Sequence, residues 1–185
     1  MKNHLLIILT GILLSSCGIL LNKSNSMDGI KGIVKIENYN NSLVRFTHKN
    51  QRNTVKAIPI IISTGISVDS SIFTMIEFKS FNKNEPINFS KIEMYNGKKH
   101  KWEWIVDDTR RSIKRNRYFI EESYNASVTS KEDELCQFFN YAPIYLKLIG
   151  EKENFKKLDY AHLESLKKIL KYSKNLNSSI KIKLL

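Results

Sequence analysis

Two clusters of basic residues are the strongest candidates for a binding function in this sequence. The first, Gly97-Lys98-Lys99-His100-Lys101-Trp102, has the spacing proposed for heparin binding, in which basic residues stand at the second, third and fifth positions. Lysine and arginine attract anions, and arginine also presents paired planar donors that match sulfate and carboxylate oxygens, so two basic clusters predict an anion-binding surface. The second cluster consists of Arg110, Arg111, Lys114, Arg115 and Arg117.

Both clusters have a plainer interpretation, which the sequence leaves open. Any solvated hairpin in a lysine-rich protein produces such spacings, so an ordinary solvated surface is the alternative. The neighbouring Trp102 and Trp104 stand two residues apart and therefore share one face of a strand. We interpret them as core residues rather than as a ligand platform, because bulky aromatic side chains dominate protein cores.

Residues that could support catalysis or metal binding form no motif. His48, His100 and His162 are scattered, without the close spacing of metal ligands, so we expect no metal site. The pair Asp107-Asp108 follows a strand and could act as an acid pair, but it is typical of a solvated turn. We therefore expect no enzyme and no cofactor. The rival hypothesis is an envelope enzyme that uses these two aspartates or His100.

The N-terminus is typical of an exported protein. Lys2 precedes an almost wholly apolar stretch over Leu5–Leu14, and small residues follow. The order Leu14-Ser15-Ser16-Cys17-Gly18 resembles the lipobox of bacterial lipoproteins. That resemblance implies a signal peptide over residues 1–16 and acylation, palmitate included, of Cys17 as the first mature residue. The alternative is an uncleaved anchor, but an apolar helix ending at Leu21 barely reaches spanning length and contains polar residues.

The residues after the cysteine predict where the protein is held. Residues 17–28 are small and polar beyond Leu21, so we expect a lipidated flexible tether. Gly18, rather than an aspartate, follows Cys17, which permits the outer membrane under the sorting rule of enteric bacteria. We expect a lipid-anchored protein of the cell outer membrane, exposed at the surface. A periplasm-facing structural lipoprotein is the alternative.

The mature chain is strongly basic. The signal peptide removes only Lys2 from the 30 Lys and Arg, which leaves 29 against 18 Asp and Glu, a formal net charge of +11. An exported protein meets little nucleic acid, so we expect no nucleic-acid partner. Lipid headgroups, sulfated polysaccharides and acidic proteins are the candidate partners. The competing explanation is the lysine-rich composition that AT-rich genomes produce.

Cysteine usage excludes a disulfide framework. With Cys17 taken by lipid, Cys136 has no intramolecular partner. We interpret Cys136 as a small buried hydrophobe, because the nearby charges are acidic rather than basic.

Strand patterns dominate the first two thirds of the chain. Apolar, β-branched and aromatic residues predict strands, and Pro59 inside the third of these suggests an edge strand or a bulge. In the fourth strand, Ile72, Thr74, Ile76 and Phe78 should share one face. The predicted strands are 29–36, 42–47, 55–63, 71–81, 89–95, 100–106, 117–124, 143–149 and 180–184.

The clearest local signal is a hairpin at Asn96-Gly97. A two-residue loop would set Phe89 and Tyr95 beside the tryptophans. We prefer a three-residue loop over 95–97 with Gly97 in the left-handed conformation. That loop gathers Ile92, Met94, Trp102 and Trp104 on one buried face, with Lys99, Lys101 and Glu103 on the other.

Two helices complete the prediction. Ser130 is expected to cap a short helix whose first turn is acidic. Residues 159–172 form an amphipathic helix with an apolar stripe of Leu163, Leu166, Ile169 and Leu170. Residues 29–185 therefore predict a single globular α+β domain. It is mainly an antiparallel sheet or sandwich with a short middle helix and a C-terminal amphipathic helix.

Together these features resemble the paralogous outer-surface lipoproteins of Borrelia-type spirochaetes, a group of surface antigens. The likeness rests on the lipobox, the tether rich in Asn, Lys and Ser, the lysine-rich single domain, the segment from Tyr95-Asn96-Gly97 through Trp102-Glu103-Trp104, and the helix over Leu158–Tyr172. The resemblance implies surface display and binding of host molecules. It implies no particular ligand and no binding residue.

Substitution of Cys17 tests the lipid anchor. Cys17→Ala should abolish metabolic labelling with a fatty-acid analogue and release the protein from membranes, because no other residue fits the modified position. Cys136→Ala should label normally. A Cys17→Ala protein that is still labelled and membrane-bound would contradict the anchor.

Overall fold

A computed structural model describes residues 30–37, 44–51, 57–67, 69 and 71–183, and the side chains of all these residues except 37 and 180–183. The predicted signal peptide (1–16), Cys17 and the tether (17–28) lie outside these residues. The helices are α1 (Glu132–Phe139) and α2 (Tyr160–Lys183). The strands are β1 (Ile33–Glu37), β2 (Val44–His48), β3 (Ile60–Ile66), β4 (Ile72–Asn82), β5 (Lys91–Tyr95), β6 (Lys101–Ile105), β7 (Arg111–Arg115), β8 (Ile120–Ser127), β9 (Tyr145–Ile149) and β10 (Glu153–Lys157).

The described strands form two sheets. The large sheet has the order β1-β2-β3-β4-β8-β7, and the small sheet has the order β10-β9-β5-β6. All neighbouring strands are antiparallel. The fold is therefore α+β, mostly antiparallel sheet with a short middle helix and a C-terminal helix, as the sequence predicted.

Side-chain alternation decides which face of the large sheet is buried. In β4, Thr74, Ile76 and Phe78 are fully buried, whereas the residues between them are only half-buried. Ile60 and Ile62 of β3 lie directly opposite Phe78 and Ile76. The predicted buried face of β4 is confirmed, and its apolar side chains belong to the hydrophobic core.

The hairpin of β5 and β6 places its side chains as predicted. Ile92 lies opposite Trp104, and Met94 lies opposite Trp102. Phe78 of the large sheet contacts Trp104 with a ring-centroid distance of 4.7 Å. The two sheets therefore share one core, against which the partly buried tryptophans are packed.

The loop of this hairpin differs from the prediction. Asn96–His100 make a five-residue loop, in which the Asn96 Oδ1 accepts the N–H groups of Lys98 (3.0 Å) and His100 (2.9 Å). The left-handed residue is Lys99, with φ 62°, and not Gly97. Gly97 instead allows the loop to pass close to the backbone of Ala142, because a Cβ at residue 97 would lie 2.6 Å from the Ala142 carbonyl oxygen.

Two further local predictions were wrong. Pro59 precedes β3 instead of interrupting it, and β3 is an interior strand between β2 and β4. Ser130 does not cap α1. It adopts φ 67° in the turn after β8, where the Lys131 N–H donates to the Val128 carbonyl, and Lys131 takes the cap position without a side-chain bond.

The C-terminal strand predicted over 180–184 was also wrong. Helix α2 continues to Lys183, and residue 184 lies outside the described part. The Ser178 and Ser179 hydroxyls bond to carbonyls four residues earlier, and Leu176 still packs against the core. Continued helical bonding thus outweighs the β-branched pattern of the last residues.

Helix α2 rests on the large sheet. Its predicted apolar stripe is confirmed, since Leu163, Leu166, Ile169 and Leu170 are all buried. A polar contact adds to this packing, because the buried Gln51 amide donates to the Ser165 carbonyl at 3.2 Å.

A buried polar cluster connects the large sheet to both helices. The Ser173 hydroxyl of α2 lies 2.6 Å from the Thr74 hydroxyl and 3.1 Å from the Thr64 hydroxyl. Glu132 of α1 accepts from Thr74 at 2.8 Å and from Ser173 at 3.3 Å. Because each hydroxyl has a partner, the cluster fixes the helices without leaving an unsatisfied polar group.

Glu122 of β8 joins the large sheet to the segment that enters the small sheet. Its fully buried carboxylate accepts three consecutive backbone N–H groups, those of Ile87 (2.9 Å), Asn88 (3.1 Å) and Phe89 (3.0 Å). The Arg111 guanidinium lies 3.6 Å away. Burial raises the pKa of the Glu122 carboxyl, against the opposing effect of these donors.

Removal of this carboxylate should destabilise the protein strongly. We expect Glu122→Ala to cost about 3–5 kcal/mol, because it leaves the N–H groups of residues 87–89 without their acceptor and removes one of the two carboxylates near Arg111. Glu121→Ala removes a neighbouring, partly exposed ion pair with Lys79 and should cost less than about 1 kcal/mol. Urea unfolding followed by circular dichroism measures both, and equal midpoints would contradict the role of Glu122.

Candidate anion-binding surface

The second basic cluster lies on and around β7, the last strand of the large sheet. We call it the basic edge; its members are Arg110, Arg111, Lys114, Arg115 and Arg117. A strand was not predicted here, since Ile113 is the one apolar residue of β7. Residues 112–118 are all exposed.

The cations of the basic edge point in different directions. Arg111, Ile113 and Arg115 alternate with Ser112 and Lys114, so the charged groups lie on both faces of β7. An open depression of about 490 Å³ lies beside the strand. Its lining consists of Met75, Thr109, Arg110, Arg111, Ser112, Asn125 and Ser127.

Arg111 differs from the other four members because it has carboxylate partners. Its Nη2 lies 3.0 Å from Asp108, and its Nη1 lies 3.6 Å from the buried Glu122. For the remaining four cations, no carboxylate lies within ion-pair distance in the described part of the chain. These four exposed cations therefore have no ion-pair partner there, although Glu121 of β8 lies opposite Lys114 in the strand register.

The first basic cluster lies at the tip of the hairpin. The Lys98 ammonium sits 4.0 Å above the ring of Tyr141, and Lys99 is exposed in the loop. Lys101, in contrast, is bound to Glu93 at 2.7 Å and to Glu103 at 2.5 Å. Two of the three lysines therefore keep a charge without a carboxylate partner.

The structure does not bring the two clusters together. They lie at opposite ends of β6, because the hairpin tip precedes Lys101 and the basic edge follows Ile105. Four residues of a strand span roughly 13 Å. The Tyr124 hydroxyl donates to the Ile105 carbonyl at 3.3 Å, which holds the second end of β6 beside β8.

An ion network on the outer face of the small sheet was not predicted. Glu93 and Glu103 lie directly opposite each other, and Lys91 and Lys101 bridge them. Hydrogen bonds from Lys101, Tyr95 and Lys91 lower the pKa of Glu93 to about 2. The alternation of Lys and Glu in both strands is the sequence signal, but it requires the register to be known.

The residues of the rival enzyme hypothesis have local structural partners. Asp107 accepts from the Thr109 N–H (2.9 Å) and hydroxyl (2.8 Å) at the start of a 3₁₀ turn, and these bonds lower its pKa. Asp108 pairs with Arg111, and the His100 ring packs edge-on against Tyr141. In the described chain, the three groups do not converge on one cavity.

The tryptophan pair and Cys136, the two remaining candidates from the sequence, both lie against neighbouring residues of the fold. Trp102 and Trp104 are stacked, with centroids 5.6 Å apart, and pack against the core. Cys136 is half-buried, and burial raises the pKa of its thiol. No group of three or more His, Cys, Asp or Glu in the described residues could hold a metal ion.

Comparison with protein-family models, curated proteins and solved structures finds no match to this chain. Neither described helix is long and apolar enough to cross a membrane.

The ion pairs of Glu93 should make the stability of the protein depend on pH. The pKa of Glu93 is depressed in the folded protein. The stabilising effect of this carboxylate is therefore complete above the ordinary value of 4.5 and is lost as pH falls through about 2. The difference in unfolding midpoint between wild type and Glu93→Gln should therefore shrink over this range. Glu103→Gln, at a more exposed carboxylate, should show a smaller difference. A constant difference for Glu93→Gln would contradict the prediction.

Proposed function

We propose that this chain is a lipid-anchored bacterial outer-surface protein that binds anionic ligands and does not act as an enzyme. The basic edge is the binding surface. One observation carries the proposal: Arg110, Lys114, Arg115 and Arg117 are exposed and have no carboxylate partner in the described part of the chain.

Uncompensated cations on an exposed strand attract anions at long and short range. Their field extends about 8 Å at physiological ionic strength and raises the rate of encounter with a polyanion. At contact, each arginine can offer two parallel donors to a sulfate or a carboxylate. Sulfated polysaccharides and acidic proteins of a host are therefore the proposed ligand classes.

The hairpin tip has a smaller part in this proposal. Lys101 is engaged with Glu93 and Glu103, so an anion would have to displace two close ion pairs. Lys98 and Lys99 can contribute attraction, but they lie at the other end of β6 from the basic edge. A ligand that contacts both clusters must therefore be extended, as a polysaccharide chain is.

The lipobox residues support the proposed location. An acyl group on Cys17 would hold the protein at the membrane, since each buried CH₂ contributes about 0.8 kcal/mol and more than one chain makes attachment stable. The net charge of the mature chain also fits a protein that meets anionic surfaces outside the cell.

Retention on a heparin column tests the binding surface. A variant with Arg110, Lys114, Arg115 and Arg117 changed to Ser should elute at clearly lower salt than wild type. Arg111 is retained because it supports Glu122.

A matched control separates a local site from net charge. Lys31, Lys49, Lys157 and Lys171 are exposed and lie on elements that do not pair with β7 or β8, and their change to Ser removes the same charge. The control should shift elution less than the basic-edge variant. Equal shifts would reduce the basic edge to an ordinary solvated surface.

A further inference from the structure

β7 has one backbone side that no other strand covers in the described chain, because the large sheet ends there. Two hydrogen bonds show which residues turn to that side. The Asn116 N–H donates to the Phe119 carbonyl at 3.0 Å across the turn between β7 and β8. At the other end, the Arg111 N–H donates to the Asp108 carbonyl and not to β8.

The hydrogen-bond pattern of an antiparallel pair then shows which residues of β7 bond to β8 and which face outward. Hydrogen-bonded and non-hydrogen-bonded pairs alternate, so Ser112 and Lys114 bond to β8. Ile113 and Arg115 therefore direct their N–H and C=O groups outward. Ile113 is 42 % exposed, and the nearby Tyr118 is 75 % exposed, so apolar surface accompanies these free backbone groups.

The charge of β7 sets it apart from the edge strands of the small sheet. The outer strands of the two described sheets are β1, β7, β10 and β6. Glu153 gives β10 a carboxylate and Glu103 gives β6 one, whereas the charged residues of β7 are all cations. Like charges directly opposite each other are unfavourable, so two copies of β7 should repel each other. An acidic strand would instead meet opposite charges on both faces.

We propose that β7 accepts an extended acidic segment of a partner protein, which adds to the large sheet as a further antiparallel strand. This inference rests on the proposed function and names the partner class and the mode of binding. Backbone hydrogen bonds to Ile113 and Arg115 hold the segment, and its carboxylates pair with Lys114, Arg115 and Arg117. A polysaccharide could use the cations but not the strand edge.

The substitution Ile113→Pro distinguishes binding through the backbone of β7 from binding through its charges. Proline removes an outward N–H and leaves the bonds of Ser112 and Lys114 to β8, as edge strands permit. The control is Ile113→Val, which keeps the N–H. The probe is a fluorescein-labelled peptide of four Glu-Thr repeats, and anisotropy is measured on the full chain in a non-ionic detergent.

Wild type and Ile113→Val should bind the peptide with similar affinity, and Ile113→Pro should bind it about tenfold more weakly, since at least one backbone bond is lost. All three should be retained alike on heparin. Equal peptide affinity for the Pro and Val variants would overturn strand addition.

A second probe keeps the test decisive if Ile113→Pro fails to fold. The same peptide with every backbone nitrogen methylated retains its charge and loses its N–H donors, so it should bind wild type much more weakly. Equal binding of the two peptides would overturn the proposal, as would heparin retention without peptide binding. If wild type neither bound the peptide nor was retained on heparin, the proposed function itself would fail.

Discussion

The fold depends on one buried carboxylate. Glu122 takes the N–H groups of three consecutive residues, 87–89, and so anchors the segment that leads from the large sheet into the small one. The other side of this segment is held by the end of β9, where Ser90 donates to Ile149 and Glu151 donates to Ile87. Gly150 lies so close that a Cβ would be 2.4 Å from the Ile87 carbonyl oxygen. A side chain at residue 150 or a missing acceptor at residue 122 would therefore destabilise the connection between the sheets.

This constraint also divides the roles within the basic edge. Arg111 faces Glu122 and is needed there, because a fully buried carboxylate costs free energy unless donors or positive charge surround it. The neighbouring cations have no such task, and their charges remain directed to solvent. One short strand therefore combines a structural arginine with cations that are available to a ligand.

On the outer face of the small sheet, by contrast, the lysines have carboxylate partners. There Lys91 and Lys101 meet Glu93 and Glu103 across the strands, so positive and negative charges compensate each other. Lys101 of the first basic cluster is therefore paired, whereas Lys98, Lys99 and four members of the basic edge have no ion-pair partner in the described part of the chain. The pairing of Lys101 follows from strand register, which sets the two lysines and the two glutamates on one face.

Local periodicity was enough to predict the α+β class, the buried face of β4, the paired faces of β5 and β6, and the apolar stripe of α2. Each has a repeat of apolar residues that matches its own geometry. The polar edge strands β7 and β10 have no such repeat, so their existence depends on a neighbouring strand rather than on their residues. The partners of Glu122 lie 33 to 35 residues away in the sequence, and no local pattern connects them. The unpaired cations of the basic edge likewise became visible only in the folded chain, whose described part places carboxylates within ion-pair distance of Arg111 and Lys101 but not of the other four members.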